Sequence, residues 1–461
     1  MTSNGRNIHI NSTRLCFSWQ RCMVFVAFML IVPLSYAQDN KNKDEKSEQP
    51  EYNKKKTIKD IRQELKSDRF TQADDKIKKA LQTYPEAKND AEYYNYEIGI
   101  QHNLAAQENR KIYLDQKPDT AKYFNYVYEV YRYALMCDSL DTMPDAKGRI
   151  RPKYTSNVTD KLNYYRNNLK SGCKYFYKKQ QWNDADKFFD MYLSTINNIH
   201  ISQKNIQASA DSAEILRLAF YSAYGKGDYQ KAVNFLPRIQ EDTVSYAYTC
   251  QLASKSLMEV KDTLQAVEYL YKGWKTDPTR KYFYVNLVEY HIDREQYDKA
   301  LDVIVEQLPQ DPLNHRLWYV RGKCEQSIDS IDEAIISYQK AIQLQEDDAQ
   351  SYSSIGNIYI ERARAAFNTI DYKRGTRAYT KAKQNQQNLY KEARESLEKA
   401  HQYAPDDREL WYSGLSEIYF KLNLGKELKA LEKEVQTPAA AKEDADKGKG
   451  KQGGNQNNKK K

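Results

Sequence analysis

Glycine is scarce, with 16 residues in 461. That argues against a Gly-rich phosphate loop and against a turn-dense β fold, both of which rely on backbone that glycine adopts most easily. Cysteine is rare as well. Of the six, Cys16 and Cys22 lie in the first 37 residues, and Cys137, Cys173, Cys250 and Cys324 share no CxxC or CxxxH spacing. Neither a metal site nor a thioredoxin-like motif is encoded. The four read as small buried residues in helix packing, with a disulfide left open should the compartment be oxidising. The six histidines are scattered, and no HExxH, GxSxG or GxxxxGK[ST] occurs. The sequence therefore makes no case for an enzyme, and no cofactor or metal is expected.

The net charge of +9 is an effect of the two ends. Residues 1–37 hold Arg6, Arg14 and Arg21 and no acid, and the stretch from Lys442 onward is lysine-rich; the body between them is close to neutral. No nucleic-acid groove follows from such a distribution. Three arginines, an apolar run from Met23 to Leu34 and the small residues Ser35 and Ala37 read as an export signal over 1–37, cleaved before Gln38. The run is short for a membrane span, and no later stretch is long and apolar enough to be one. Residues 38–56 read as a disordered linker and 437–461 as a disordered Lys-rich tail.

What the chain has in quantity is tyrosine, 39 residues, and a period. Ala232, Ala266, Ala300 and Ala334 recur every 34 residues, as do Pro278 and Pro312, then Tyr284, Trp318 and Tyr352, then Val288, Gly322 and Gly356. Within one unit, Tyr284, Leu287, Val288 and Ile292 line one face of a first helix, and Ala300, Ile304, Gln307 and Leu308 mark a second before Asp311-Pro312 ends it. Small residues belong where the two helices cross closely. Arg321 and Gln307 depart from the pattern, the first at a position that is Leu287 one copy earlier, the second at one that is Ala341 one copy later.

This pattern resembles the tetratricopeptide (TPR) family, a 34-residue helix–turn–helix repeat. The resemblance implies an all-α solenoid, a right-handed superhelix, with regular repeats at 213–246, 247–280, 281–314 and 315–348. Residues 57–199 read as degenerate helical repeats, with second helices marked by Ala73, Ile77 and Ala80 and by Trp182, Ala185 and Phe189. Over 349–436 the copy is stretched into an extended hairpin turning near 368–375, followed by capping helices. The hairpin is rich in Arg362, Arg364, Lys373, Arg374, Arg377, Lys381 and Lys383. It either docks on an acidic surface or lies solvated with Asp371, Glu392 and Glu395 compensating. Asp-Ser and Asp-Thr pairs, such as Asp119-Thr120, Asp138-Ser139, Asp141-Thr142 and Asp262-Thr263, read as helix caps. With the aliphatic residue that follows, the pattern also resembles an O-glycosylation acceptor of some bacterial periplasms.

In the family the first helices line a concave groove. Carried onto this sequence, that implies groove positions at Arg217, Tyr221, Tyr248, Lys255, Tyr282, Arg316, Tyr319 and Lys323, with Asn357 beyond them. Rings as anchors and cations for carboxylates suit a peptide or partner helix. Packing between repeats is the competing role for the same rings. The expectation is a non-catalytic interaction scaffold or adaptor of the bacterial cell envelope, with a protein or peptide partner and no nucleic acid. The alternatives are a periplasmic chaperone-like assembly factor for outer-membrane or secretion complexes, and an accessory subunit of an envelope enzyme.

Overall fold

The computed structural model describes residues 52–201, 208–241, 245–368 and 375–436. The chain divides into two units, Met1–Asn53 and Lys54–Lys461. Of the first, only Tyr52 and Asn53 fall among the described residues, so the expected export signal lies outside them. So do the linker up to residue 51, the tail from 437 and the hairpin turn over 369–374.

The second unit is a succession of antiparallel helix pairs. They are α1 (Lys54–Lys66) with α2 (Phe70–Thr83), α4 (Ala91–Tyr113) with α5 (Thr120–Asp141), and α6 (Thr155–Lys178) with α7 (Trp182–Ser194). The short α3 (Pro85–Lys88) joins the first two pairs. Then come α8 (Ala208–Lys226) with α9 (Tyr229–Phe235), α10 (Tyr246–Glu259) with α11 (Thr263–Thr276), and α12 (Lys281–Ile292) with α13 (Tyr297–Gln307). The last are α14 (His315–Ser327) with α15 (Ile331–Leu344), α16 (Ala349–Asn368) with α17 (Arg377–Tyr403), and α18 (Tyr412–Lys421) with α19 (Gly425–Gln436). Each second helix packs on the next first helix, and α4, α6, α8 and α10 also touch one another in order. The fold is the all-α, TPR-type helix–turn–helix stack. No strand occurs among the described residues, and none of their helices is long and apolar enough to cross a membrane.

The period has a steric cause. Ala232, Ala266, Ala300 and Ala334 are all fully buried. At the opposite crossing point a Cβ on Gly322 would sit 2.8 Å from the Tyr338 ring and 3.1 Å from the Ala334 carbonyl. Gly356 is likewise closed in by Leu397 and the Ala393 carbonyl, so Ala393 is the partner alanine of the stretched copy. A third recurring position is invisible as a residue type. Gly227, Lys261, Glu295 and Asp329, again 34 apart, hold φ between +56° and +82° at the turn between paired helices. There the following amide reaches back to close the first helix, as Gln296 N–H does on His291 O at 2.8 Å.

Departures from the pattern are compensated. Buried Gln307 accepts the Trp274 indole N–H at 2.8 Å, so an amide in place of alanine ties α13 to α11. Arg321 lies over the Trp318 ring at 5.3 Å and pairs with Glu325 at 2.8 Å. The linker expectation is corrected at its end: α1 begins at Lys54, where Lys54 is held by Asp90 and Glu92 of the next pair. The capping reading is right for Asp119 and Asp262, whose carboxylates accept the Lys122 and Gln265 amides. It is wrong for Asp138 and Asp141, which lie within α5. Asp138 instead bonds His200 Nε2 at 2.8 Å, and Asp141 accepts the Lys153 and Tyr154 amides.

All four cysteines of the second unit are buried free thiols. Burial pushes Cys137, Cys250 and Cys324 up to about 12 and raises Cys173 as well. Thiolate is the reactive form. Ellman's reagent is therefore expected to leave these four untouched in native protein and to titrate all of them in guanidinium.

Candidate functional site

The face built by α8, α10, α12, α14 and α16 carries the residues singled out above. Tyr248 is the most open ring, 46% exposed. Tyr221 stands edge-on to it, with centroids 5.3 Å apart, and shares a 2.7 Å hydrogen bond with Thr249 of α10. Arg217, one turn before Tyr221, is half-buried beside it. A contact of the same kind, with the tyrosine now on the later helix, joins the next two first helices, where Tyr282 of α12 and Ser254 of α10 share a 3.0 Å hydrogen bond. Lys255 then lies over the Tyr282 ring at 5.3 Å. Burial raises the phenols of Tyr221 and Tyr282 above the ordinary range.

These two rings are thus tied into the seam between repeats, and the cause is plain. A buried hydroxyl needs a partner, and the facing first helix supplies a Ser or Thr 28 residues away. Tyr319 has a packing contact as well. It packs on Tyr338 of its own pair at 5.7 Å, and burial raises its phenol. Sequence patterning shows which face a ring occupies but not whether the neighbouring repeat claims its hydroxyl.

The cations behave differently. Arg316 is exposed, and Lys255 and Lys323 are half-buried. None of the three has a carboxylate within ion-pair distance among the described residues. Burial depresses the Lys323 ammonium below the usual lysine range, the signature of a charge not yet matched. Glu289 holds the equivalent place on α12, and burial raises its carboxyl, with Asp293 adding to the effect. Asn357 is exposed on α16, its amide 3.4 Å from Ser353 Oγ. The open part of the face is therefore Tyr248, Lys255, Arg316, Lys323 and Asn357.

Two cations of the basic hairpin are paired. Arg362 pairs with Asp332, and Arg364 with Glu417 of α18 and Glu361. Of the compensating acids expected from the sequence, Glu392 and Glu395 are not among these partners, and Asp371 lies outside the described residues. Arg377, Lys381 and Lys383 remain exposed on α17, and Lys373 and Arg374 lie outside the described residues. His291, buried, is hydrogen-bonded by Tyr271 and Gln296 and is structural.

No family model matches the chain, and no curated protein does. Among solved structures, a crystal structure of MamA is 19% identical, covering 41% of this chain and 96% of that one, with a TM-score of 0.30. The C-terminal part of a TPR repeat-containing protein from Cytophaga hutchinsonii is 14% identical, covering 57% and 92%, with a TM-score of 0.38. MamA from Desulfovibrio magneticus RS-1 is 16% identical, covering 43% and 99%, with a TM-score of 0.30. At these TM-scores, the repeat fold of this chain stands on its own period and helix pairing.

Proposed function

We propose that the chain is a non-catalytic scaffold or adaptor of the bacterial envelope, holding a peptide or partner protein along its first-helix face. One observation carries the reading. An exposed ring, Tyr248, stands on the same face as three cations, Lys255, Arg316 and Lys323, that no carboxylate among the described residues neutralises. A partner segment bringing an apolar side chain and carboxylates satisfies both at once. Export rests on the apolar run and the small residues before Gln38.

In-cell crosslinking with mass spectrometry tests this, using wild type and the double variant Tyr248→Ala with Lys255→Glu. One stoichiometric protein partner is expected, its capture reduced about tenfold or more in the variant. Unchanged capture would remove the groove reading. A crowd of unfolded clients would point to a chaperone-like factor instead.

A further inference from the structure

A cleft of about 220 Å³ lies outside the regular repeats, between α4, α5 and α6. Its walls are rings: Tyr113 from α4, Tyr123 from α5 and Tyr164 from α6. Tyr113 is 81% exposed and Tyr164 66%, although both present large apolar faces. The rings behind them are fixed by hydrogen bonds. Tyr165 OH meets His102 Nδ1 at 2.9 Å, and Asn168 donates to Tyr123 OH at 2.7 Å. His102 also holds the Tyr164 ring edge-on at 5.7 Å. Small residues, Ala105 and Ala106, leave the space open.

The charged side chain lining the cleft is a cation. Arg110 is exposed on its rim and has no ion pair among the described residues. Lys161 lies 6.0 Å from the Tyr164 ring, and no carboxylate lines the cleft. Burial depresses His102 below the usual imidazole range, and Lys161 adds to the effect. A cationic ligand is disfavoured there. The volume suits a single side chain rather than a larger small molecule. Ile112 and Leu114, next to Tyr113 in the chain, are exposed as well, and apolar surface of this kind favours a polypeptide over a saccharide.

From this arrangement we infer that the cleft anchors one aromatic side chain of an acidic partner segment, with a neighbouring carboxylate on Arg110. Offset or edge-on ring contacts with Tyr113 and Tyr164 would hold the aromatic group, and the guanidinium would fix its direction. The site is separate from the face proposed above, and the two readings stand or fall independently.

The test uses the full chain and fluorescence anisotropy of the labelled peptide Gly-Glu-Phe-Glu-Gly. Saturable binding is expected, weakened about tenfold or more by Tyr164→Ala and by Arg110→Glu, and retained by Tyr164→Phe. Both altered side chains are exposed, so unchanged circular dichroism is expected of the variants. Tyr248→Ala and Lys255→Glu should leave this affinity unchanged, which separates the cleft from the first-helix face. The charge-reversed peptide Gly-Lys-Phe-Lys-Gly should bind at least about tenfold more weakly. Equal affinity for the two peptides, indifference to Tyr164→Ala, or preference for tri-galacturonic acid over the acidic peptide would each overturn the inference.

Discussion

Replacing Phe283 by alanine is expected to destabilise the stack by about 3–5 kcal/mol, read as a lowered denaturation midpoint. The ring is fully buried between α11 and α12, where a Cβ on Gly273 would lie 2.2 Å from its edge. Gly273→Ala is therefore also costly, by about 1–3 kcal/mol, because the ring has nowhere to retreat. The two changes are coupled in a testable way. Once the ring is gone, the new methyl enters the space it left, so the double variant should lose clearly less than the sum of the singles. Additive losses would mean that the two positions do not meet. Each pair contacts chiefly its neighbours, so faster hydrogen exchange should concentrate in α10 to α13.

Stability is expected to fall as pH rises from about 4.5 to about 8, and Glu97→Gln should remove that slope. Glu97 of α4 is fully buried, and its Oε1 meets no donor. Burial, reinforced by the Asp74 carboxylate of α2, pushes its carboxyl from 4.5 up to about 8. Gln101 donates to both acids, at 3.0 Å to Asp74 and 3.1 Å to Glu97, and Lys78 pairs with Asp74 at 2.7 Å. Below the unfolded value both states hold the proton, and the stabilisation is complete. Between the two values only the native state holds it, so each step up in pH favours unfolding until the native carboxyl also ionises. The loss is on the order of a few kcal/mol. Glutamine keeps the shape and supplies the donor at every pH. Urea midpoints at pH 5, 7 and 9 check this: wild type and variant should diverge upward through the window. Parallel profiles would show that Glu97 is ionised in the native state.

Parts of this were legible in the sequence because they follow from local sterics. A buried crossing point admits only a small side chain, so Ala232, Ala266, Ala300 and Ala334 had to repeat. The turn residues escaped notice because a left-handed φ can be filled by Lys261, Glu295 or Asp329 when the flanking helices fix the backbone. The Tyr164 cleft escaped because its partners come from three helices, with His102 and Tyr165 separated by 63 positions. In the N-terminal third the helices run to 22–24 residues over α4, α5 and α6, which blurs the 34-residue register that would have aligned them.

The sequence by itself determined the helix pairs and which face of each is apolar, since both follow from spacing along one helix. Only the tertiary structure decided which polar groups on those faces stay open. It joined Tyr221 to Thr249 and Tyr282 to Ser254, gave Arg364 to Glu417, buried Glu97 against Asp74, and left Tyr248, Lys255, Arg316 and Tyr164 without such a claim. The reason is that a hydrogen bond or ion pair across a repeat seam depends on the distance between two helices, and no period within either helix specifies that distance.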